Sequence, residues 1–371
     1  MARIANVNPA FLFPGQGAQQ PGMLHELVDD PAVQLTLDEI SDVLKSDVRL
    51  LDSPEALNST VSVQLALLAS GVATARALQR QGVTCCAVAG LSVGAFAAAV
   101  VAEAIPLKDA VILVRSRAEK MEQLYPVGYG LAAIVGLNER QVTAIVNAVH
   151  TAATPVFVGN INAPRQIVIA GSIEGMQKVL EEASRNGARK AELLHVSVPP
   201  HCPLLSSVAD SLRHQLNFMQ LKPPKLPYIA NVNGRAVRSA SAVATDLADN
   251  IAHGVRWHDA TIVAEELGCN LFLEMPPGHT LTDLAEENVP SVTACGHNGP
   301  FQTRFATRHR LSVLCEDPNE AINPIARCSP RLENRISNAL SDRSAVGRRS
   351  GVATNRHAAS LLPARRIHLD Y

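Results

Sequence analysis

The sequence predicts a mixed α/β protein with a smaller inserted unit. Short apolar runs alternate with longer helical patterns over most of the chain, as expected where strands and helices alternate. At 85–102 an apolar run leads through the pentapeptide Gly-Leu-Ser-Val-Gly into an Ala/Val-rich segment, which is the order of a strand, a sharp turn and a helix. At 128–197 the rhythm changes, and this indicates a second, smaller sheet.

Length and composition narrow the class of protein. A chain of 371 residues can bury a large core and fits two domains or one domain with an insertion. With 47% hydrophobic residues and a net charge of −1, it gives no electrostatic reason to expect a nucleic acid or an acidic membrane surface as partner. Seven cysteines without regular spacing predict reduced thiols and a cytoplasmic location, and no secretory signal is expected at the N-terminus.

The elements of the larger unit are predicted in chain order. A first strand at 11–13 ends at the loop Pro-Gly-Gln-Gly, and the apolar run at 85–89 is a second strand. Helical patterns occupy 60–81 and 108–124. After the inserted unit, the predicted elements are helices at 204–216 and 246–251 and strands at 227–231 and 271–274.

The inserted unit has its own order of elements. They are strands at 131–135, 156–160, 166–170 and 191–196, and helices at 139–149 and 173–186. Strand, helix, strand, strand, helix, strand is the order of a ferredoxin-like unit. We therefore expect a ferredoxin-like subdomain at 128–197, inserted into a discontinuous core at 1–127 and 198–300.

The end of the chain differs from the rest. Residues 301–371 carry twelve arginines against six acidic residues and have no sustained helical or strand period. We expect a disordered Arg-rich tail. A nucleic-acid-binding arm is the weaker hypothesis, because aromatic residues are not interleaved with the arginines.

Ser92 is the candidate nucleophile. Glycines on both sides permit a strained turn that lifts its hydroxyl above the sheet, and the backbone N–H of Val93 then faces an oxyanion formed by attack on a carbonyl. Two other interpretations compete: Ser92 caps the following helix, or the uncharged stretch 81–102 crosses a bilayer. Against a membrane span, alanine is only weakly apolar and no Lys/Arg cluster flanks the stretch.

Arg117 stands in the middle of an apolar helix face. At helical spacing it shares one stripe with Ala110, Val114, Met121 and Leu124. Burying an unpaired charge is costly, so Arg117 needs an anionic partner. That partner is either an internal carboxylate or a carboxylate of the substrate.

The general base is sought among twelve histidines. His201 follows a rigid Val-Pro-Pro segment and is favoured over His258 and His279, although a loop histidine is more often solvated or capping. The loop Gly-Gln-Gly at 15–17 is too short to bind a dinucleotide, and we interpret it as a close-approach turn whose amides face an anion. No His/Cys spacing predicts a metal site.

Five motifs occur in order along 10–290 and resemble the landmarks of malonyl-CoA:acyl-carrier-protein transacylases. They are Phe-Pro-Gly-Gln-Gly-Ala-Gln at 13–19, the Ser92 pentapeptide, the Arg117 helix, Asn-Ala-Pro-Arg-Gln-Ile-Val-Ile-Ala-Gly at 162–171, and Val-Pro-Pro-His-Cys at 198–202. The resemblance implies an α/β-hydrolase-like core with an inserted ferredoxin-like subdomain. It also implies a set of site residues: a Ser92–His201 dyad, an oxyanion hole from Gln16 and Val93, Arg117 as the malonyl clamp, and substrate contacts from Asn162, Gln166 and Arg256.

Within the family, three segments look more like the epsilon subunit of malonate decarboxylase than the fatty-acid-synthesis enzyme. They are Gly-Leu-Ser-Val-Gly-Ala-Phe at 90–96, Tyr-Pro-Val-Gly-Tyr-Gly-Leu-Ala-Ala-Ile at 125–134, and Val-Arg-Trp-His-Asp-Ala at 255–260. Leu91 stands where the fatty-acid enzymes usually have His. Arg256 stands where they commonly have Gln or Asn, at a position whose main-chain carbonyl is expected to orient the histidine.

The resemblance implies a two-step acyl transfer without a bound cofactor. Malonyl-CoA and the pantetheine-type arm of an acyl-carrier protein are the expected substrates, and the other malonate decarboxylase subunits are expected partners; no nucleic acid or membrane is expected. The alternatives are the transacylase of fatty acid synthesis, a serine esterase, which needs an acidic third triad residue, and a non-catalytic carrier-docking subunit.

Overall fold

The computed structural model describes residues 7–125, 127–194, 196 and 198–296, and the predicted tail at 301–371 lies outside them. The described chain is a mixed α/β fold with one sheet of six strands and one of four. The strands are β1 Pro9–Phe13, β2 Ala87–Gly90, β3 Tyr129–Val135, β4 Val156–Ala163, β5 Gln166–Ser172, β6 Lys190–Leu193, β7 Tyr228–Ile229, β8 Ala236–Val237, β9 Leu271–Glu274 and β10 Thr293–Cys295.

Ten α-helices are found in these described ranges. They are α1 Pro31–Leu44, α2 Thr60–Arg80, α3 Gly94–Val101, α4 Leu107–Leu124, α5 Glu139–Val149, α6 Ile173–Arg185, α7 Ser206–Leu216, α8 Ala240–Asp249, α9 Trp257–Glu266 and α10 Thr280–Asn288. Helix α1 is not among the predicted elements, although its start is well marked: the Asp30 side chain accepts the N–H of Ala32, and Pro31 occupies the first turn.

The six-stranded sheet forms the core of the larger lobe. Its order is β10-β9-β1-β2-β7-β8, and all neighbours are parallel except β7 and β8. Every residue of β1 and β2 is buried, as is typical of strands covered by helices on both faces. Because Phe13 pairs with Gly90, the two strands end side by side, and the loops that follow them meet at one edge of the sheet.

Helix α2 is the longest helix described and lies inside the core. It is long and apolar enough to cross a membrane by composition, but 78% of its most apolar window is buried within the protein. The stretch 81–102, which we considered as a membrane span, is divided between β2 and α3. The hypothesis of a span there is therefore wrong.

The smaller lobe contains the elements predicted for 128–197, in the predicted order. Its sheet is antiparallel throughout, with the order β4-β5-β3-β6, and α5 and α6 follow β3 and β5 along the chain. A separate apolar cluster, which includes Ile134, Val142, Ile167 and Val179, fills the space between this sheet and its helices. The last strand is shorter than predicted and ends at Leu193.

The two lobes are joined by backbone hydrogen bonds. Val255 donates to Gly159 O at 2.8 Å and accepts from the N–H of Ile161 at 2.8 Å, so that it adds a short parallel bridge to β4. Gly254 is needed beside this bridge, because a Cβ there would lie 2.9 Å from Gly159 O. The bridge fixes the smaller sheet against the core.

The cysteines correct one expectation. Cys86 and Cys269 form a disulfide with their Cα atoms 6.4 Å apart, so the prediction of reduced thiols is wrong for this pair. Both residues lie just before core strands, β2 and β9. The remaining described cysteines, Cys85, Cys202 and Cys295, are buried thiols.

Candidate active site

The turn at Ser92 has the backbone geometry of a nucleophile elbow. Ser92 has a φ of +55°, in the left-handed region that side chains rarely adopt. A Cβ on Gly90 would lie 2.1 Å from the backbone of Gly94, and one on Gly94 would lie 2.2 Å from Phe13 O. Only glycine fits on either side of the turn. The N-cap of α3 is Val93, so the alternative that Ser92 caps this helix is wrong.

The glycine-rich loop after β1 lies against this elbow. A Cβ on Gly15 would be 2.8 Å from Leu91 O and 3.5 Å from Ser92 Cβ, which confirms the predicted close approach. In the described part of the chain, the backbone N–H groups of Gln16 and Val93 have no hydrogen-bond acceptor. Two free donors beside the Ser92 hydroxyl suit a developing oxyanion.

Arg117 of α4 lies beside the serine and is almost fully buried, with 1% of its surface exposed. Its Nη1 donates to Gln64 Oε1 at 2.6 Å, and its Nη2 donates to Ser92 Oγ at 3.1 Å. Among the residues described, no carboxylate pairs with it, and its Nε has no acceptor. Burial lowers the pKa of Arg117 to about 9, so the guanidinium is still charged at neutral pH.

Gln64 is a site residue that the sequence analysis missed. It lies on α2 among apolar side chains and is 1% exposed. While its Oε1 accepts from Arg117, its Nε2 donates to Gln16 Oε1 at 3.3 Å and to Met121 Sδ at 3.5 Å. The one available signal was a glutamine within the apolar run at 63–69, since such a group needs partners for both ends of its amide.

His201 is buried and its ring is held by the main chain. Its Nδ1 lies 2.6 Å from Asn250 O, so Nδ1 carries the proton that is donated to this carbonyl and Nε2 is the free base. Burial, and secondly the charge of Arg117, lower the pKa of His201 to about 3. The prediction that the carbonyl of Arg256 orients the histidine is wrong, because the carbonyl that His201 Nδ1 meets is that of Asn250.

Ser92 and His201 line the same narrow cavity. The wall from the larger lobe includes Gln16, Gln64, Ser92, Arg117 and His201, and the wall from the smaller lobe includes Leu131, Asn160, Val168, Leu194 and Val196. Within the described ranges, Ser92 Oγ accepts one hydrogen bond, which Arg117 donates. No hydrogen bond joins Ser92 Oγ to His201 there. Of the other candidate histidines, His279 pairs with Asp283 at the surface.

Three predicted substrate contacts are not on the cavity wall. Asn162 and Gln166 are buried elsewhere in the smaller lobe, and Asn160 lines the cavity in their place. Arg256 uses its guanidinium on two carboxylates, Glu139 Oε1 at 2.7 Å and Asp259 Oδ2 at 2.8 Å. The substrate contacts expected from Arg256, Asn162 and Gln166 therefore stay predictions, and the structure places these side chains off the cavity wall.

The described residues contain no group of three His, Cys, Asp or Glu side chains placed to hold a metal ion. The cavity instead combines a serine on a strained turn, a neutral imidazole, two free backbone donors and a buried cation. Such a set can form and resolve an ester on the serine, and the cation favours an acyl group that carries a carboxylate.

Comparisons with known proteins agree with this chemistry. A model of the acyl transferase domain family matches residues 10–307. A malonyl CoA-acyl carrier protein transacylase of Escherichia coli (strain K12) is 36% identical over 299 residues, which are 78% of this chain and 96% of the relative. The protein of that name from Bacillus subtilis (strain 168) is 34% identical over 285 residues, 75% of this chain and 89% of the relative.

Solved structures agree as well. The acyl-carrier-protein S-malonyltransferase of Burkholderia pseudomallei 1710b has a TM-score of 0.76 at 35% identity, covering 81% of this chain and 100% of that one. A malonyl-transacylase in complex with its type II PKS acyl-carrier protein has a TM-score of 0.76 at 34% identity, covering 81% and 98%. The chain belongs to the acyl transferase family and is an acyltransferase of the malonyl-CoA:acyl-carrier-protein transacylase type.

Proposed function

We propose that the chain moves malonyl from malonyl-CoA to the thiol of a carrier protein through a malonyl ester on Ser92. The observation that carries this proposal is Arg117, a buried cation that lies 3.1 Å from Ser92 Oγ and has no ion pair among the described residues. A malonyl carboxylate would supply the missing anion. An acetyl group would leave the guanidinium buried and unpaired.

In the first half-reaction, Ser92 Oγ attacks the thioester carbonyl while His201 Nε2 takes the hydroxyl proton. A general base of this kind contributes typically about 10² to 10⁴ in rate. The N–H groups of Gln16 and Val93 hold the oxyanion, each donor contributing about 3 kcal/mol. The carbon–sulfur bond then breaks, and His201 returns the proton to the sulfur of coenzyme A.

The second half-reaction repeats these steps in reverse. The carrier thiol gives its proton to His201 and attacks the malonyl ester, and the carbon–oxygen bond to Ser92 breaks. His201 then returns the proton to Ser92 Oγ. Throughout both steps, the malonyl carboxylate holds Arg117 and competes with the hydrogen bond that Arg117 donates to Ser92 Oγ in the free protein.

The architecture supports this assignment. We interpret the six-stranded sheet with its elbow as an α/β-hydrolase-like core and the 128–197 segment as a ferredoxin-like subdomain. The strand order β4-β5-β3-β6, with a helix after β3 and another after β5, supports the second part. The partner of His201 Nδ1 is the carbonyl of Asn250, whereas an esterase triad would place a carboxylate there. This favours acyl transfer over the serine esterase alternative.

For the acceptor, we propose the carrier subunit of malonate decarboxylase, with the other subunits of that complex as partners. This choice is supported by the three sequence segments that resemble the epsilon subunit, at 90–96, 125–134 and 255–260. The acyl carrier of fatty acid synthesis is the second candidate, favoured by the names of the relatives. The cytoplasmic location expected from the sequence stays a prediction.

The direct test is the mass of the intact protein after incubation with malonyl-CoA alone. We expect one malonyl adduct on Ser92 and none in Ser92→Ala, because the ester waits for its acceptor. Adding each candidate carrier protein should discharge the adduct, and the faster discharge identifies the acceptor. An adduct that persists in Ser92→Ala would contradict the proposed nucleophile.

A further inference from the structure

Asn231, just after β7, holds both sides of the nucleophile elbow with its side chain. Its Oδ1 accepts the backbone N–H of Ser92 at 2.9 Å, and its Nδ2 donates to Gly90 O at 2.9 Å. The side chain is buried, with 3% of its surface exposed, and does not line the cavity. Asn231 therefore touches the backbone of the turn and not the space where an acyl group binds.

The elbow needs such a support. Ser92 has a φ of +55°, a conformation that a non-glycine residue keeps only where its surroundings enforce it. The main chain of β7 ends at Ile229, whose partner in β2 is Ala89, so the sheet ladder on that side stops before the turn. The Asn231 amide continues the pairing for two more backbone groups, Gly90 O and Ser92 N–H.

The orientation of the amide is fixed from behind. Asp246 Oδ2 lies 3.5 Å from Asn231 Nδ2 and accepts from the Tyr228 hydroxyl at 2.6 Å, while its Oδ1 accepts from the N–H of Val232 at 3.0 Å. A carboxyl facing the NH₂ end of the amide directs Oδ1 towards Ser92. An aspartate at 231 would instead place an acceptor against Gly90 O and Asp246.

We propose that Asn231 is a positioning residue of the acyl transfer. By fixing the backbone at Ser92, its amide sets the directions of Ser92 Oγ and of the next N–H, that of Val93. The inference rests on the proposed nucleophile, and it adds a residue that acts only through that nucleophile. Since a small misplacement of reacting groups costs large factors in rate, the effect belongs to the chemical step and not to substrate binding.

The first test is burst kinetics with malonyl-CoA. In Asn231→Ala we expect the rate of acyl-serine formation to fall between about tenfold and about hundredfold, while half-saturation by malonyl-CoA stays within about twofold. The burst amplitude per folded molecule should stay near that of the unchanged protein. Thr36→Val is the matched control: Thr36 is also buried and hydrogen-bonded, but it lies on α1, away from the cavity. This variant should keep the burst rate.

The second test uses Asn231→Asp, which keeps the size of the side chain and should fold. At about pH 8 the Asp variant should be slow, and its deficit relative to the unchanged protein should shrink at about pH 5.5, because a protonated carboxyl can again donate to Gly90 O. An unchanged burst rate in Asn231→Ala would overturn the inference, as would a loss of amplitude with the rate intact. If the unchanged protein forms no adduct on Ser92, the proposed function fails instead.

Discussion

At the scale of single residues, the charge of two buried side chains determines the chemistry of the site. Burial lowers the pKa of Arg117 to about 9, and burial together with the charge of Arg117 lowers the pKa of His201 to about 3. At neutral pH, Arg117 is therefore a cation and His201 is a neutral base. A carboxylate clamp and a proton acceptor require these two forms.

The lowered pKa of His201 has a consequence for the pH profile. An imidazole accepts a proton only above its pKa, so kcat/KM for malonyl-CoA should stay level from about pH 5 to about pH 8, without the fall near 6.5 that an ordinary histidine would cause. Steady-state rates across this range measure it. In Arg117→Ala, the pKa of His201 should rise and any acidic fall should move to higher pH. A clear inflection between pH 6 and 7 in the unchanged protein would contradict the low pKa.

Arg117 should also determine the choice of acyl group. Arg117→Ala removes the partner of the malonyl carboxylate, and the ratio of kcat/KM for malonyl-CoA over acetyl-CoA should fall by at least about 30-fold. The control is Arg115→Ala on the same helix, because Arg115 is exposed and paired with Glu119. That variant should keep the ratio. If malonyl preference survived in Arg117→Ala, the clamp assignment would be wrong.

Site residues with a distinctive sequence context could be predicted from the sequence, whereas the site amides, Gln64 and Asn160, could not. Ser92, Arg117 and His201 stand out by a motif, by a charge on an apolar face and by a rigid loop. Asn162 is the predicted substrate contact, whereas Asn160, two residues earlier on the same strand, lines the cavity. The register of β4 shifts on both sides of 160–161, and such irregularities decide which side chain reaches the cavity.

At the scale of elements, the elbow exists because a strand, two glycines and a helix are packed against another strand end. Leu91 donates its N–H to Phe13 O at 2.9 Å, which continues the β1–β2 pairing into the turn. Gly94 then begins α3 against that same carbonyl, Phe13 O. The Ser92 hydroxyl is thus raised by backbone packing, and neighbouring elements hold the strained turn in place.

This packing predicts that one methyl group added at Gly90 strongly destabilises the fold. In Gly90→Ala, the new Cβ would meet the backbone of Gly94 at 2.1 Å, where no side chain can yield, and we expect a loss of at least about 3 kcal/mol in the free energy of unfolding. Urea unfolding measures it. Gly159→Ala is the matched control, because its Cβ would have its nearest neighbour at an ordinary 3.4 Å. Equal stabilities of the two variants would refute the packing argument.

Most long elements were predicted and most short ones were not, with the helices α1 and α9 as exceptions among the long ones. The predicted helix 139–149 has the bounds of α5, whose Asn138 and Gln141 form a capping box. By contrast, β8, α10 and β10 were missed, and β7 has only two residues. Such short elements are stabilised by contacts between residues distant in sequence, and the local sequence pattern does not predict those contacts.

At the scale of the whole molecule, the cavity exists only because two lobes meet. The larger lobe supplies Ser92, Arg117 and His201, and the smaller lobe closes the wall with Asn160 and apolar side chains. Besides the backbone bridge at Val255, Arg256 ties Glu139 of α5 to Asp259 of α9. Arg256 therefore joins the two lobes through this pair of ion pairs.

This role of Arg256 can be separated from substrate binding. Because its side chain is one-third exposed, Arg256→Ala should cost no more than about 1 kcal/mol of stability and should leave KM for malonyl-CoA within about twofold. Hydrogen exchange should quicken at the amides of Val255 and Ile161, which join the lobes. The control, Arg213→Ala, also loses two ion pairs, but within the larger lobe, and should leave these amides unchanged. A large rise in KM in Arg256→Ala would instead indicate that Arg256 contacts the substrate.

The sequence by itself determined the α/β class, the place of the inserted lobe, the turn at Ser92 and the unusual position of Arg117. Each of these follows from a local sequence pattern or from a charge on an apolar helix face. Only the tertiary structure decided that Arg117 has Gln64 and Ser92, and no described carboxylate, as partners. It also decided that Asn250 orients His201 and that Cys86 meets Cys269. These pairings join residues from 25 to 183 positions apart. Hydrogen bonds and disulfides depend on distances of a few ångströms, which the packing of the two sheets sets and no local pattern contains.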